Sequence, residues 1–480
     1  MQGKSLGGAA AGAGLAIAGH KLRDPQRRRH VRRSARIYRL TARRSAHFAS
    51  AKLRGVGRTE AERAAIDETF AIKSAEDVAR ELGHMKGVMM KAGQMVSFIL
   101  EALPEEAQAV LATLQSDAPP MAPSLAESVL EHELGTHPRR LFLEWDPEPI
   151  AAASIGQVHR VVLPDGRDAA VKIQYPGIGE AMTSDLENAD LLYSMFSAFA
   201  LKSLDVTAMV DELRSRMTDE LDYRIEARRQ TEFVDRYRGH PYIVIPGVID
   251  EYSTERVLTT EWIDGMRFAE FEQTASDAQR QHAAEILFRF TQGSIYLHRA
   301  FNGDPHPGNY LFLPDGRIAF LDFGLVKEWT SEETDLLWPL IEPVLAGDPD
   351  STISQMEAAG FLKPGHGLDP AAVWEYVSQP YIPYFSETFH FTREYVGETV
   401  SGILDLRGPH RPVIEKLDLP PSFVILDRVV WGLSAILGRL GAVNRWHDIL
   451  SEYRVGAPPA TELGRQEAEW RSTHAIRAAE

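Results

Sequence analysis

Three polar residues in the second half of the chain have the types and spacing needed to handle a phosphate and its metal ion. Asp304 and Asn309 are the first and last residues of an Asp-Pro-His-Pro-Gly-Asn segment. Asp322 begins an Asp-Phe-Gly segment thirteen residues after Asn309. Carboxylate and amide oxygens suit magnesium, and a carboxylate beside them can orient or deprotonate a hydroxyl group. The pattern predicts phosphoryl transfer, with Asp304 as the catalytic group and Asn309 and Asp322 as magnesium ligands.

Two earlier segments supply what a nucleotide phosphate needs. Lys172 lies in an apolar strand, where a lysine is costly unless it is paired or touches an anion. The small residues of segment 151–158 predict a strand turn whose backbone N–H groups can approach phosphates. Each segment alone is a weak signal. Together, phosphate turn, strand lysine, Asp-x4-Asn and Asp-Phe-Gly follow the order of a protein-kinase site.

Charge and composition exclude several classes of protein. The 480 residues carry a net charge of -16, which disfavours nucleic acid as a partner. The absence of Cys excludes a thiol nucleophile and Cys-ligated metals, and it fits a reducing compartment. Residues 1–58 carry fifteen basic residues and one acid, a charge of +14, so the rest carries -30. This basic arm, expected to be flexible, either binds an anionic membrane or remains solvated.

Hydrophobic periodicity divides the rest of the chain. Helical spacing predicts a helical extension over 59–120, and alternating patterns place strands in a small lobe over 121–265. A larger helical lobe with one hairpin follows over 266–455, and 456–480 is predicted to be a polar tail. The fold class is therefore α+β with two lobes. No transmembrane helix is predicted, because charged residues interrupt the apolar run at 423–443.

These motifs resemble the UbiB/AarF family of atypical protein-kinase-like proteins. The family's Ala-rich loop is matched by residues 151–158, and its lysine strand by residues 170–177. Its Lys-x-Gly-Gln and Glu-x-Asp motifs are matched at 91–94 and 220–222. The resemblance covers residues 80–450 and implies a bilobal protein-kinase-like fold with an N-terminal helical extension.

The resemblance also implies roles for individual residues. Lys172, Asp304 and Glu220 are expected to be catalytic, with Glu220 pairing with Lys172 or Lys91 and Glu187 competing for Lys172. The Lys-x-Gly-Gln helix is expected to pack over the nucleotide cleft, which makes Lys91, Gln94 and Asp222 regulatory candidates. The expected nucleotide-binding residues lie in the loop, the strand and the hinge: Ala151, Ala152, Ala153, Ser154, Ile155, Gly156, Val158, Lys172, Glu261 and Ile263.

The function that follows is a magnesium-dependent, ATP-binding atypical kinase or ATPase that supports isoprenoid quinone biosynthesis or membrane lipid homeostasis. The alternative is a nucleotide-gated pseudokinase module without phosphoryl transfer. A conventional Ser/Thr kinase is disfavoured because Asn302 and Gly303 replace the His-Arg of its catalytic loop, and because no long activation segment precedes the capping box at Thr330. The expected location is cytoplasmic, peripheral to a membrane that the basic arm contacts through anionic or isoprenoid lipids.

Overall fold

A computed structural model describes residues 121–474, apart from residues 154, 181, 183–214, 216, 405–407 and 419–420. The predicted basic arm and helical extension lie outside the described residues. So do the regulatory candidates Lys91 and Gln94, the loop residue Ser154, and Glu187.

Strands dominate the first part of the described chain and helices the rest. The strands are β1 (Glu144–Trp145), β2 (Ala151–Ala153), β3 (Gly156–Val162), β4 (Asp168–Gln174), β5 (Ile243–Val244), β6 (Val257–Glu261), β7 (Met266–Arg267), β8 (Ala300–Asn302), β9 (Tyr310–Phe312), β10 (Ile318–Phe320), β11 (Val326–Glu328), β12 (Phe389–His390) and β13 (Val443–Asn444). The helices are α1 (Pro123–Leu134), α2 (Pro138–Leu141), α3 (Tyr223–Arg236), α4 (Phe268–Thr274), α5 (Asp277–Tyr296), α6 (Ser331–Ala346), α7 (Pro349–Ala358), α8 (Pro370–Val377), α9 (Arg393–Leu404), α10 (Arg411–Ile414), α11 (Pro421–Leu440), α12 (Trp446–Arg454) and α13 (Glu462–Thr473).

A five-stranded antiparallel sheet forms the small lobe. Its order is β1-β3-β4-β6, and β2 pairs with β3. Along β4, Ala169, Val171 and Ile173 are buried in a core that α1 covers. Side chains alternate along a strand, so Lys172 must point to the opposite face of the sheet. The strand pattern that makes the core therefore also aims the lysine.

The large lobe is built around α5, whose second half is almost entirely buried. A capping box between Ser276 and Gln279 fixes where this helix begins, and its core includes residues of α11 and α12. The predicted capping box at Thr330 is present and starts α6. The two lobes confirm the α+β, bilobal, kinase-like fold.

Short strands in the large lobe hold the two segments that carry the predicted catalytic and metal residues. β9 and β10 form a hairpin whose turn needs the positive φ of Gly316 (88°), and β10 also pairs in parallel with β5. β8 pairs with β11. The Asp304 loop therefore lies between β8 and β9, and Asp-Phe-Gly lies between β10 and β11.

The prediction of a polar tail from 456 is wrong for residues 462–473, which form α13. Thr461 caps this helix by accepting a hydrogen bond from the Gly464 amide at 3.1 Å. Leu463, Glu467 and Trp470 are buried at i, i+4 and i+7. The sequence concealed this narrow stripe because charged residues fill the exposed face.

A buried ionic cluster fastens α13 to the large lobe. Arg289 of α5 has a fully buried side chain and contacts Glu452 of α12 at 2.8 Å and Glu467 of α13 at 3.3 Å. Tyr242 donates a hydrogen bond to Glu467 at 2.8 Å. Such a cluster is costly to break, because any partner left behind is a buried charge.

No helix in the described part of the chain is both long enough and apolar enough to cross a membrane. Helix α11 covers most of the apolar run at 423–443, and its buried residues pack in the large-lobe core.

Trp470→Ala should lower the free energy of unfolding by about 3–5 kcal/mol, because a large buried side chain is lost without replacement. Trp470 is only 7% exposed and donates its indole N–H to the Arg238 carbonyl at 3.1 Å. Urea denaturation measures the change, and Gln466→Ala on the exposed face of α13 is the control. Equal stability of the two variants would contradict the packing of α13.

The buried ring of His240, which packs against Trp470, predicts that the fold loses stability in acid. His240 is T-shaped against Trp470, with ring centroids 4.5 Å apart, and its Nδ1 accepts hydrogen bonds from the amides of Tyr242 and Ile243. Burial, aided by the basic groups nearby, lowers the pKa of His240 to about 3. Since both bonds need an unprotonated Nδ1, the folded protein resists the proton that the unfolded chain accepts near pH 6.5.

The stability that His240 contributes is therefore complete above pH 6.5 and is lost as the pH falls toward 3. Between pH 7.5 and pH 5, protonation of His240 in the unfolded chain should lower the free energy of unfolding by about 2 kcal/mol. His240→Asn keeps an acceptor near Nδ1 but does not titrate, so its unfolding free energy should fall less over that range. Parallel curves of unfolding free energy against pH for the two proteins would contradict this assignment.

Candidate active site

A cavity of about 1000 Å³ lies between the five-stranded sheet and the Asp304 loop. It collects most of the predicted site residues, namely Ala151, Ala152, Ala153, Val158, Lys172, Glu261, Ile263, Asp304, Asn309 and Asp322. The predicted strand lysine, Ala-rich loop, hinge and catalytic loop thus face one space, although they are far apart in the sequence.

Among the predicted site residues that the structure describes, four do not line this cavity. Ile155 is buried with 1% exposure. A Cβ at Gly156 would lie 2.2 Å from the Ile173 carbonyl oxygen, so this glycine is needed for the close approach of β3 to β4. Asp222 caps α3 by accepting a hydrogen bond from the Arg224 amide at 3.0 Å, which gives it a structural role. The fourth is Glu220.

The carboxylate that pairs with Lys172 is Glu226, not Glu220. Its two oxygens lie 2.9 and 2.8 Å from the Lys172 Nζ, and the side chains are 16% and 6% exposed for Lys172 and Glu226. Glu220 precedes the cap of α3, whereas Glu226 lies one turn inside it. The predicted pairing of Glu220 with Lys172 is therefore wrong. The alternative pairing of Glu220 with Lys91 stays a prediction, because Lys91 lies outside the described residues.

The sequence contained a signal for Glu226 that motif matching missed. The buried residues of α3 are Tyr223, Glu226, Ala227, Gln230 and Phe233, at helical spacing. A glutamate on the buried stripe of a helix needs a cationic partner, and a lysine inside an apolar strand needs an anionic one. Matching these two anomalies would have identified the pair.

Lys172 remains charged in this environment. Burial opposes its charged form, but the carboxylates of Asp322 and Glu226 outweigh that effect and raise the pKa of Lys172 well above its usual value. Burial raises the pKa of Glu226 to about 7, against the attraction of Lys172. Asp322 completes the group, with its Oδ2 3.7 Å from the Lys172 Nζ.

Helix α3 also positions the Asp-Phe-Gly segment. Phe323 is fully buried, and its ring centroid lies 4.7 Å from that of Phe233. Arg229 donates a hydrogen bond to the Gly324 carbonyl at 3.0 Å, and Asp322 Oδ1 accepts one from the Gly324 amide at 2.9 Å. The helix that carries Glu226 therefore fixes the segment that carries Asp322.

The Asp304 carboxylate is held from two sides. Asn309 Nδ2 lies 3.3 Å from Asp304 Oδ2, and Arg428 of α11 donates a hydrogen bond to Asp304 Oδ1. Asn302 Oδ1 accepts a hydrogen bond from the Asp304 amide at 2.8 Å. His306 braces the loop by accepting a hydrogen bond from the Gly308 amide at 3.0 Å.

Arg428 is a site residue that the sequence analysis missed. In the sequence it only interrupts an apolar run, and it lies 124 residues after Asp304, which it contacts. It lines the cavity together with Trp431, Gly432, Ala435 and Arg439 of the same helix face. Only the packing of α11 against the catalytic loop brings it to the site.

The donor atoms near the Asp-Phe-Gly segment fit a magnesium ion that arrives with phosphates. Asn309 and Asp322 offer oxygen ligands to the same cavity. Among the described residues, no group of three or more His, Asp or Glu could hold a metal by itself. Magnesium usually takes one or two carboxylates and completes its shell with water and substrate phosphates, so this sparse set suits it.

A strand lysine paired with a helix glutamate, an Asp-x4-Asn loop and an inward-facing Asp-Phe-Gly define a protein-kinase-like site. The comparison with known proteins agrees, since the ABC1 atypical kinase-like domain matches residues 113–356. The chain belongs to this family of atypical kinase-like proteins, which confirms the UbiB/AarF resemblance.

Named relatives match over much of the chain. Protein ACTIVITY OF BC1 COMPLEX KINASE 1 of Arabidopsis thaliana chloroplasts is 32% identical over 64% of this chain and 47% of its own length. The mitochondrial atypical kinase COQ8 of Saccharomyces cerevisiae is 28% identical, over 76% of this chain and 73% of its own. The chain spans about half the length of the plant and cyanobacterial relatives it matches first.

A solved structure shares the fold and part of the sequence. It is the Mycobacterium tuberculosis protein Rv3197 in complex with erythromycin, with a TM-score of 0.59 and 33% identity. The match covers 79% of this chain and 95% of that one.

The Lys172–Glu226 pair can be tested without any ligand. Lys172→Met and Glu226→Leu should each lower the free energy of unfolding by about 3–5 kcal/mol, because each leaves a buried charge without its main partner. The double variant should lose clearly less unfolding free energy than the two single variants lose in sum. Glu220→Leu combined with Lys172→Met is the matched cycle and should be nearly additive. A larger coupling energy at Glu220 than at Glu226 would contradict the assignment.

Proposed function

We propose that this protein is a magnesium-dependent, ATP-binding atypical kinase or ATPase. The observation that carries the proposal is the buried Lys172–Glu226 pair beside Asp322, at the wall of a cavity that Asp304 also lines. An ammonium held charged by two carboxylates is prepared to bind the α- and β-phosphates of a nucleotide. Nothing in a purely structural ion pair requires the catalytic loop to face it.

Adenine would bind against the hinge that follows β6. The Glu261 amide already donates to the Gly247 carbonyl at 2.8 Å, and the Trp262 amide to the Asp168 carbonyl at 3.3 Å. The base would therefore be read by the Glu261 carbonyl and the Ile263 amide. Apolar side chains that line the cavity would cover its faces: Val158, Ala170, Leu258, Leu311 and Leu321.

Asn309 and Asp322 would hold the magnesium ion that accompanies the nucleotide. When bound, the ion neutralises charge that develops on the phosphate oxygens. Asp322 is already oriented by the Gly324 amide, and Asn309 by the main-chain and side-chain oxygens of Asp304. Little rearrangement of this chain's own side chains would be needed.

Asp304 would orient the acceptor, either a hydroxyl group or water, and accept its proton. Asn309 of the same loop donates a hydrogen bond to Asp304 Oδ2 at 3.3 Å, so the direction of the carboxylate is set from within the loop before the acceptor arrives. Such fixed placement is what in-line phosphoryl transfer requires, because the protein contributes mainly position and charge.

A small or membrane-associated acceptor fits better than a protein. Only six residues separate Gly324 from the start of α6 at Ser331, which leaves no long activation segment to dock a peptide. The basic arm of residues 1–58 supplies attraction to an anionic membrane. We place the activity in isoprenoid quinone biosynthesis or membrane lipid homeostasis, at the membrane surface, as the family resemblance implies.

A nucleotide-gated binding module without phosphoryl transfer is the second candidate. It is favoured by one observation: both oxygens of Asp304 already have protein partners. In that case ATP would bind and change the conformation, and Asp304 would have a structural role.

The experiment measures ATP binding by calorimetry and phosphate release by the purified chain, with and without anionic liposomes. Asp304→Asn and Asp322→Asn should reduce phosphate release by about 100-fold or more, since positioned acid–base and metal contacts are lost. Asp315→Asn, in the exposed β9–β10 turn, is the control and should retain activity.

Three outcomes separate the candidates. Phosphate release that both site variants abolish supports the enzyme. ATP binding with identical background release in all variants supports the gated module. Failure of the wild-type chain to bind ATP with magnesium overturns both.

A further inference from the structure

The contact between Arg428 and Asp304 joins a distant helix to the catalytic loop. The two side chains are only 12% and 15% exposed, so their attraction is weakly screened by water. Arg428 Nη2 donates a hydrogen bond to Asp304 Oδ1, and Asn309 Nδ2 donates one to Asp304 Oδ2 at 3.3 Å. Without a nucleotide, each oxygen of the carboxylate therefore already accepts a hydrogen bond from another side chain.

Arg428 differs from the other lysine and arginine side chains that line the cavity in the described part of the chain. Lys172 is committed to Glu226 and Asp322. Arg267 donates a hydrogen bond to the Ile150 carbonyl at 3.3 Å. Arg439 makes two hydrogen bonds to Glu272, away from the catalytic loop. Arg428 alone among them is held by the carboxylate whose chemistry the site would use.

The catalytic loop itself contributes no permanent cation. Between Asp304 and Asn309 it contains two prolines, one histidine and one glycine. Besides the magnesium ion that Asn309 and Asp322 would hold, a terminal phosphate next to Asp304 would therefore meet a carboxylate of like charge, unless a further cation from elsewhere lies between them. The guanidinium of Arg428 is already at that carboxylate.

We propose that Arg428 senses the terminal phosphate of the nucleotide and uncovers Asp304 when that phosphate binds. The proposal rests on the proposed function. In the free protein the guanidinium holds Asp304 Oδ1; with ATP bound it exchanges this oxygen for oxygens of the γ-phosphate. No covalent bond changes in this step. Oδ1 then becomes available to the acceptor hydroxyl group.

The chemistry of arginine suits this exchange. A guanidinium is always charged and presents a planar fork of donors that can bind two phosphate oxygens at once, so the γ-phosphate competes well with a single carboxylate oxygen. ADP has no γ-phosphate, so Arg428 should stay on Asp304 when ADP is bound. The site is then covered after each turnover and in the presence of product.

The decisive measurement is the affinity for a non-hydrolysable ATP analogue, AMP-PNP, and for ADP, each with magnesium, by calorimetry. Arg428→Gln should weaken the binding of AMP-PNP by about 10- to 100-fold, as expected for a lost hydrogen bond between charged groups. ADP should change by less than about threefold, because it never contacts the guanidinium. Arg317→Gln, in the exposed β9–β10 turn and outside the cavity lining, is the control and should leave the ratio of the two affinities unchanged.

Asp304→Asn distinguishes this role from a merely structural one. If Arg428 chooses between carboxylate and phosphate, Asp304→Asn should strengthen AMP-PNP binding, and this gain should vanish in the Arg428→Gln background. If Arg428 only holds the loop, both single variants should weaken AMP-PNP and ADP alike. Arg428→Lys keeps the charge but not the fork, so it should lie between wild type and Arg428→Gln, and it replaces Arg428→Gln if that variant melts early.

The outcomes for the two proposals can be told apart. Wild-type binding of both nucleotides, with equal losses of AMP-PNP and ADP affinity in the Arg428 variants, overturns the sensing role but leaves the proposed function intact. A wild-type chain that binds neither nucleotide overturns both.

Discussion

The rest of the site depends on one constraint: the charge of Lys172 must be matched inside the protein. A lysine on the cleft face of β4 and a glutamate on the buried face of α3 are each unfavourable alone, and together they fix the distance between sheet and helix. The docking of α3 then determines where Arg229 meets Gly324 and where Phe233 meets Phe323. The position of Asp322 is thus a consequence of a pairing made elsewhere.

The sequence predicted the architecture well, because it depends on periodicity and on short motifs. Alternation in β3 and β4, the turns of the β9–β10 hairpin and the capping box at Thr330 are local features that a single segment encodes. The order of the lysine strand, catalytic loop and Asp-Phe-Gly was enough to identify the two-lobed class. The predicted site residues that the structure describes line one cavity, except for Ile155, Gly156, Glu220 and Asp222.

Three of the errors have a common physical origin, since each concerns a charged residue that is buried by a distant element. Glu226 was overlooked in favour of Glu220 because a motif was given more weight than the burial pattern of α3. Arg428 looked like an interruption in an apolar run, and Glu467 looked like part of a polar tail. A buried charge is defined by its partner, and the partner can be more than a hundred residues away. The buried stripe of α3 marked Glu226, but no local pattern marked Arg428 or Glu467.

Helix α13 has a consequence for how the site is made in the cell. It contacts the chain just beyond the end of α3, through Trp470 and the Arg238 carbonyl, across more than two hundred residues of sequence. Ribosomes add about 5–20 residues per second, so α3 waits roughly 10 to 50 seconds after its own synthesis before this support exists. During translation the nascent chain therefore carries Glu226 on a helix that still lacks its final neighbour. Most residues of the cleft are therefore synthesised before the helix that supports this end of α3.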